Sequence, residues 1–178
     1  MLYNSIMKIK SIIKSIIILF VAIYLYFVGN NPLNHYIIHS IHLVFHEAGH
    51  FIFMFFGNQF INIAGGSIMQ LLIPIILIFY FLFVKKDIYA MSFMFLWLGS
   101  SLFDIAIYTK DALAMNLDLL GGDNVIHDWN YLLSVSGLLK YTNQIAQFIY
   151  SIGIFSLIIG VIIGIFNSFS NDKDINTV

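Results

Sequence analysis

His46, Glu47 and His50 lie in the run His-Glu-Ala-Gly-His. On an α-helix, residues four apart share a face, so both imidazoles can reach one zinc ion. Glu47, beside the first histidine, is then placed to act as a general base toward water that the ion activates. Glu47 is also the only glutamate in the chain, and it stands in the otherwise apolar stretch from His42 to Phe56. An ionisable residue in such a segment costs about 2.5–3.5 kcal/mol on membrane-insertion scales, which makes it a functional residue by default.

A catalytic zinc site takes three protein ligands and keeps one position open. The third cannot be a second glutamate, since there is none, and His50 is followed by Phe-Ile-Phe-Met-Phe-Phe-Gly rather than by a further histidine. An aspartate or His127 remains. Trp97, Ser101, Asp104, Tyr108 and Asp111 recur at spacings of four and three, a polar seam on one face of a helix. Asp104 is the deepest carboxylate of that seam and the expected ligand, with hydrogen bonding to a serine or to a ligand histidine as its other possible role. His127-Asp128-Trp129 offers an alternative: either His127 or Asp128 can fold back as ligand or as a second-layer partner, while Asp128 also suits the N-cap of the helix that follows.

His35, His39, His42, His46 and His50 make one continuous stripe. The outer three fit the lining of a hydrated cleft, and also a second metal site or a proton path. Gly65 and Gly66 precede, and Gln70 opens, the next apolar stretch, where a substrate backbone would need hydrogen-bonding partners.

These residues must be positioned by membrane helices. Of the 178 residues, 60% are hydrophobic and only 10% charged; a water-soluble domain carries about a quarter charged residues. The composition predicts an all-α integral membrane protein, a single membrane domain over residues 1–178. About five spans are expected, at 11–28, 36–56, 68–84, 88–108 and 145–166, because a spanning segment must satisfy its own backbone hydrogen bonds. The first is expected to be an uncleaved span, as no small-residue cleavage site follows it. Gly57–Gly66 reads as a tight loop or a short re-entrant strand after the motif helix. Residues 110–140 form a polar region whose first part, Asp111–Leu120, suits an interfacial helix, and 170–178 a disordered tail.

Lysine placement favours a cytoplasmic N-terminus, which puts the motif, Asp104 and the polar region on the cytoplasmic side. With a net charge of −1 and no clustered basic residues, no nucleic-acid partner is expected. The absence of cysteine excludes disulfides, thiolate metal sites and cysteine nucleophiles.

Through Phe-His-Glu-Ala-Gly-His-Phe-Ile-Phe in an apolar helix, the chain resembles the intramembrane zinc metalloproteases of the site-2 protease family, as a divergent branch. The motif histidines and glutamate of that family correspond to His46, His50 and Glu47. The resemblance implies zinc as cofactor, a site facing the cytoplasm within a membrane such as the bacterial inner membrane, and hydrolysis of membrane-spanning or membrane-adjacent peptides. The family's usual third-ligand pattern, Asn-x-x-Pro followed by Asp-Gly, does not occur here. A histidine-rich metal-binding or metal-transporting membrane protein is the alternative function, distinguished by what Glu47 does.

Overall fold

The computed structural model describes residues 2–31, 36–117 and 126–170. His35, Gly121 and Gly122 lie outside the described residues, as does the tail expected at 170–178 apart from Ser170, which ends the last helix. All regular structure among the described residues is helical: α1 (Leu2–Gly29), α2 (Ile37–Phe53), α3 (Gln59–Phe79), α4 (Ile88–Lys110), α5 (Asp128–Val135) and α6 (Thr142–Ser170).

Four segments are long and apolar enough to cross a membrane: Ser5–Gly29, Gln59–Lys85, Ile88–Lys110 and Leu139–Ser170. The second joins α3 to a wider π-helical turn, Tyr80–Lys85. Large apolar side chains such as Phe20, Phe27, Phe155 and Phe166 point outward, as expected where lipid rather than water is the neighbour. The motif helix α2 is shorter than a typical span, with 17 residues and a rise of about 25 Å against a hydrocarbon core of about 30 Å.

α4 is the most enclosed of the four long helices. Its Leu96 and Phe103 pack with Ile18, Ala22 and Leu25 of α1 and Leu157 of α6. The α4–α6 crossing is close because Gly99 faces Gly153: a Cβ on Gly99 would stand 2.8 Å from the Gly153 carbonyl oxygen. In lipid, where apolar surface alone does not drive helices together, such small-residue contacts carry the packing.

The structure corrects the expected loop or re-entrant strand at Gly57–Gly66. Met54–Phe56 form a short 3-10 turn and Gly57, at φ +65°, ends it. Asn58 then caps α3, its Oδ1 accepting from the Ile61 N–H at 3.1 Å, so Gln59–Gly66 are the first turns of a helix. Gly65 and Gly66 serve there as a packing surface: a Cβ on Gly49 of α2 would lie 2.2 Å from the Gly65 carbonyl oxygen. α2 packs chiefly on α3 and touches α4 at few points.

Of the interfacial helix expected at Asp111–Leu120, residues 118–120 lie outside the described residues, and 111–117 are not helical. Asp111 gathers a turn instead, its carboxylate accepting from the N–H groups of Asn116 and Leu117, each at 3.0 Å. The helix expected from Trp129 begins one residue earlier and stops at Val135, before Gly137 at φ +68°.

Candidate metal centre

α2 brings His46 and His50 onto its α3-facing side, with ring centroids 4.8 Å apart. Their Nε2 atoms converge on a single carboxylate oxygen, Oδ2 of Asp128, at 2.8 and 3.1 Å. The second nitrogen of His50, Nδ1, lies 3.0 Å from the Asn62 carbonyl oxygen. A carbonyl can only accept, so Nδ1 carries the hydrogen and a neutral ring presents a lone pair at Nε2. Two lone-pair donors then face each other across 3.1 Å, an arrangement that needs a positive charge, a proton or a metal ion, between them. Imidazole ligands of metal sites are commonly oriented in this way, through a backbone carbonyl on the far nitrogen.

The donor set fits zinc. Bonds of roughly 2.0–2.1 Å in tetrahedral directions place ligand atoms about 3.3 Å apart, close to the spacings here. Space beside the rings is kept by Gly66 of α3: a Cβ there would lie 2.5 Å from Nε2 of His46 and 2.7 Å from Nε2 of His50. Any side chain at position 66 would therefore enter the place where the ring nitrogens point.

Asp128 is delivered by the first turn of α5, which several contacts hold against the bundle. Its backbone N–H donates to the Tyr108 hydroxyl at 3.1 Å. Trp129 Nε1 donates to Ser67 Oγ at 3.2 Å, and Asn130 Nδ2 to the Ala112 carbonyl at 2.8 Å. Asp128 is 6% exposed. Burial works to raise its pKa, but the His46 and His50 rings outweigh burial and hold the carboxyl below its usual range, while a position in the first helical turn also favours negative charge.

Glu47 is exposed, and among the described residues it makes no hydrogen bond or ion pair. It lies near enough for its charge to act on the His50 ring and the Tyr108 hydroxyl. The carboxylate is thus unengaged at the edge of the centre.

Asp104 is not at the His46–His50 pair; it stands with His39 and His42, its Oδ1 2.8 Å from His39 Nδ1 and its Oδ2 in close contact with His42 Nδ1. His127 is the N-cap of α5: its Nδ1 accepts from the Asn130 N–H at 3.2 Å, and its Nε2 donates to Asp111 Oδ2 at 3.3 Å. The cap expected of Asp128 is thus supplied by His127, which frees Asp128 to face the two histidines. Gln70 is buried, its Nε2 donating to the Ser101 carbonyl at 3.3 Å, and Gly65 packs against Phe53 and Gly49. Of the three positions considered for substrate, only Gly66 borders the ring nitrogens.

Comparison of the chain with protein-family models, curated proteins and solved structures returned no match. The centre is therefore read from its own atoms. Tyr108 is the participant that sequence reasoning did not single out. It packs edge-on to His46 with centroids 5.9 Å apart and over His127 at 4.4 Å, while its hydroxyl fixes the backbone of Asp128. Its place in the polar seam of α4 was the available signal.

Proposed function

We propose that this chain is a membrane-embedded zinc metallopeptidase of the site-2 protease type, with His46, His50 and Asp128 as ligands and Glu47 as catalytic base. The observation that carries the reading is the convergence of both motif Nε2 atoms on Asp128, with the unengaged carboxylate of Glu47 one residue from the first ligand. Zinc held by this set supplies Lewis acidity toward a scissile carbonyl and makes water a competent nucleophile near neutral pH. The Glu47 carboxylate accepts the proton of the attacking water and returns it to the departing amine nitrogen. His50 is held in register by Asn62, and Asp128 by Tyr108. The bare backbone of Gly66 leaves room for an extended peptide beside the centre. Substrates are membrane-spanning or membrane-adjacent peptides that reach the site laterally, from the cytoplasmic side of a membrane such as the bacterial inner membrane.

The test is Glu47→Gln in the detergent-purified chain, incubated with a set of labelled single-span peptides and with unfolded casein. Products are read by mass spectrometry and bound metal by elemental analysis. Wild-type cleavage that disappears in the variant while the metal stays is the expected result. Cleavage at the wild-type rate by Glu47→Gln would overturn the assignment.

A second reading, a metal-binding or metal-transporting protein, is favoured by one observation: His39, His42, His46 and His50 all turn toward aspartates from a single helix. Zinc uptake into proteoliposomes that survives Glu47→Gln, with no hydrolysis by the wild type, would select it.

A further inference from the structure

The group formed by His39, His42 and Asp104 is not used by the proposed peptidase chemistry. One ring nitrogen each from His39 and His42 and a carboxylate oxygen of Asp104 lie within 4.8 Å of one another. His42 is 2% exposed. His39 Nδ1 stands 2.8 Å from Asp104 Oδ1, and His42 Nδ1 is in close contact with the second oxygen, Oδ2. The outer Nε2 of His42 is buried without a partner among the described residues, while the His39 ring also meets the Val28 backbone carbonyl. Two imidazole nitrogens and one carboxylate aimed at a common point are the donor set of a divalent transition-metal site, and the spacing suits an ion at their centre.

We propose that His39, His42 and Asp104 hold a second divalent metal ion, independent of the one at Asp128. The two positions are not a paired catalytic centre. The midpoints of the histidine pairs are about 7.5 residues apart along α2, or about 11 Å, whereas ions that share one reaction stand about 3.5–4 Å apart. The second ion acts instead as a tie. α2 leans on α3 and meets α4 at few points, so a metal shared by His39, His42 and Asp104 joins the N-terminal half of the motif helix to the most enclosed helix of the bundle. It thereby fixes the orientation of the same helix that presents His46 and His50.

The inference goes beyond the peptidase reading and is separable from it by stoichiometry. The full chain, purified in detergent, stripped with chelator and reloaded with Zn2+ alone, is desalted and its zinc content measured. Two ions per chain are expected, one for each group. Asp104→Asn and His42→Gln should each leave one, Asp128→Asn should leave one, and Asp104→Asn with Asp128→Asn none. Wild-type protein that binds a single ion, lost with Asp128→Asn and kept with Asp104→Asn, overturns the second site and leaves the first standing. A single ion lost with Asp104→Asn and kept with Asp128→Asn supports the second site and removes the ligand set of the peptidase. Should Asp104→Asn not yield a monodisperse protein, His42→Gln and His39→Gln carry the same test, and zinc content unchanged from wild type in both overturns the proposal.

Discussion

The two His-His-Asp groups lie about two turns apart on α2 and use the same residue types, yet their surroundings differ. At His46 and His50 the Nε2 atoms point inward and His50 is anchored behind by Asn62; at His39 and His42 the Nδ1 atoms point inward, and the outer Nε2 of His42 has no partner among the described residues. Asp128 comes from the first turn of a short helix docked by Tyr108, Trp129 and Asn130, whereas Asp104 belongs to the enclosed helix α4. Only the first group has a glutamate beside it and a glycine opposite its ring nitrogens. What separates a centre equipped for hydrolysis from one equipped to tie helices is therefore not the ligand set. It is the presence of an unengaged base and of open space.

Filling that space should have the largest effect. Gly66→Ala places a methyl within 2.5–2.7 Å of the His46 and His50 ring nitrogens. Because these atoms are the ends of side chains, the rings can swing aside and the helices need not part. The chain should fold, lose the ion and all hydrolysis at the first group, and retain one ion at Asp104. Elemental analysis with a melting curve checks this; normal metal content at both groups would show that Gly66 keeps no essential space.

Acidity acts next, and on both groups. Ligand imidazoles must be unprotonated, and an ordinary imidazole titrates near pH ~6.5, so metal content should fall between about pH 7.5 and about pH 5.5. Asp128 does not set this window, because its pKa is already held below the usual carboxylate range. In metal-free protein its contribution has a definite sign: the stabilisation is present above the unfolded carboxylate value of about 3.9 and is lost as pH falls through the lower folded value. Metal retained down to about pH 4 would show that imidazoles are not the limiting ligands.

A smaller effect tests how Asp128 is held. Tyr108→Phe removes the acceptor of the Asp128 N–H and leaves ring packing on His46 intact. Outer partners of metal ligands are worth about 10–100-fold in metal affinity. A loss in that range is expected at the first group alone, measured by competition with a chromogenic chelator. No change would mean that Trp129 and Asn130 suffice to place α5.

How far the sequence could anticipate this arrangement depends on which physical variable each step needed. Hydropathy marks helices because apolar length is a local property, and the four long segments are found close to where it places them. Helical periodicity puts His46 with His50, and it also aligns the seam of α4 toward α2: Asp104 does meet histidines of that helix. Periodicity fixes a face but not a height along the axis, so it could not tell that Asp104 meets His39 and His42 instead of His46 and His50. Gly65 and Gly66 read as helix breakers, whereas between membrane helices small residues permit close approach. The docking of α5 rests on partners such as Ser67 and Ala112, distant in sequence and ordinary in type, and leaves no local signal.

The finest distinction concerns His127, which sequence reasoning held open as a ligand and the structure makes a cap. The two roles ask for different atoms. As a ligand it would need an imidazole; as a cap it needs only a short acceptor for the Asn130 N–H, and asparagine is among the best N-caps. His127→Asn should therefore keep the first turn of α5 and both metal ions, losing the contact from Nε2 to Asp111 Oδ2 at 3.3 Å, worth about 0.5–1.5 kcal/mol, and the packing of the ring on Tyr108. His127→Ala, without an acceptor, should cost about 1 kcal/mol more in stability and loosen zinc at Asp128 by a fewfold, since the residue that follows the cap is the ligand itself. If instead asparagine and alanine abolish metal binding alike, the imidazole is required as such, and the centre must be redrawn with His127 inside it.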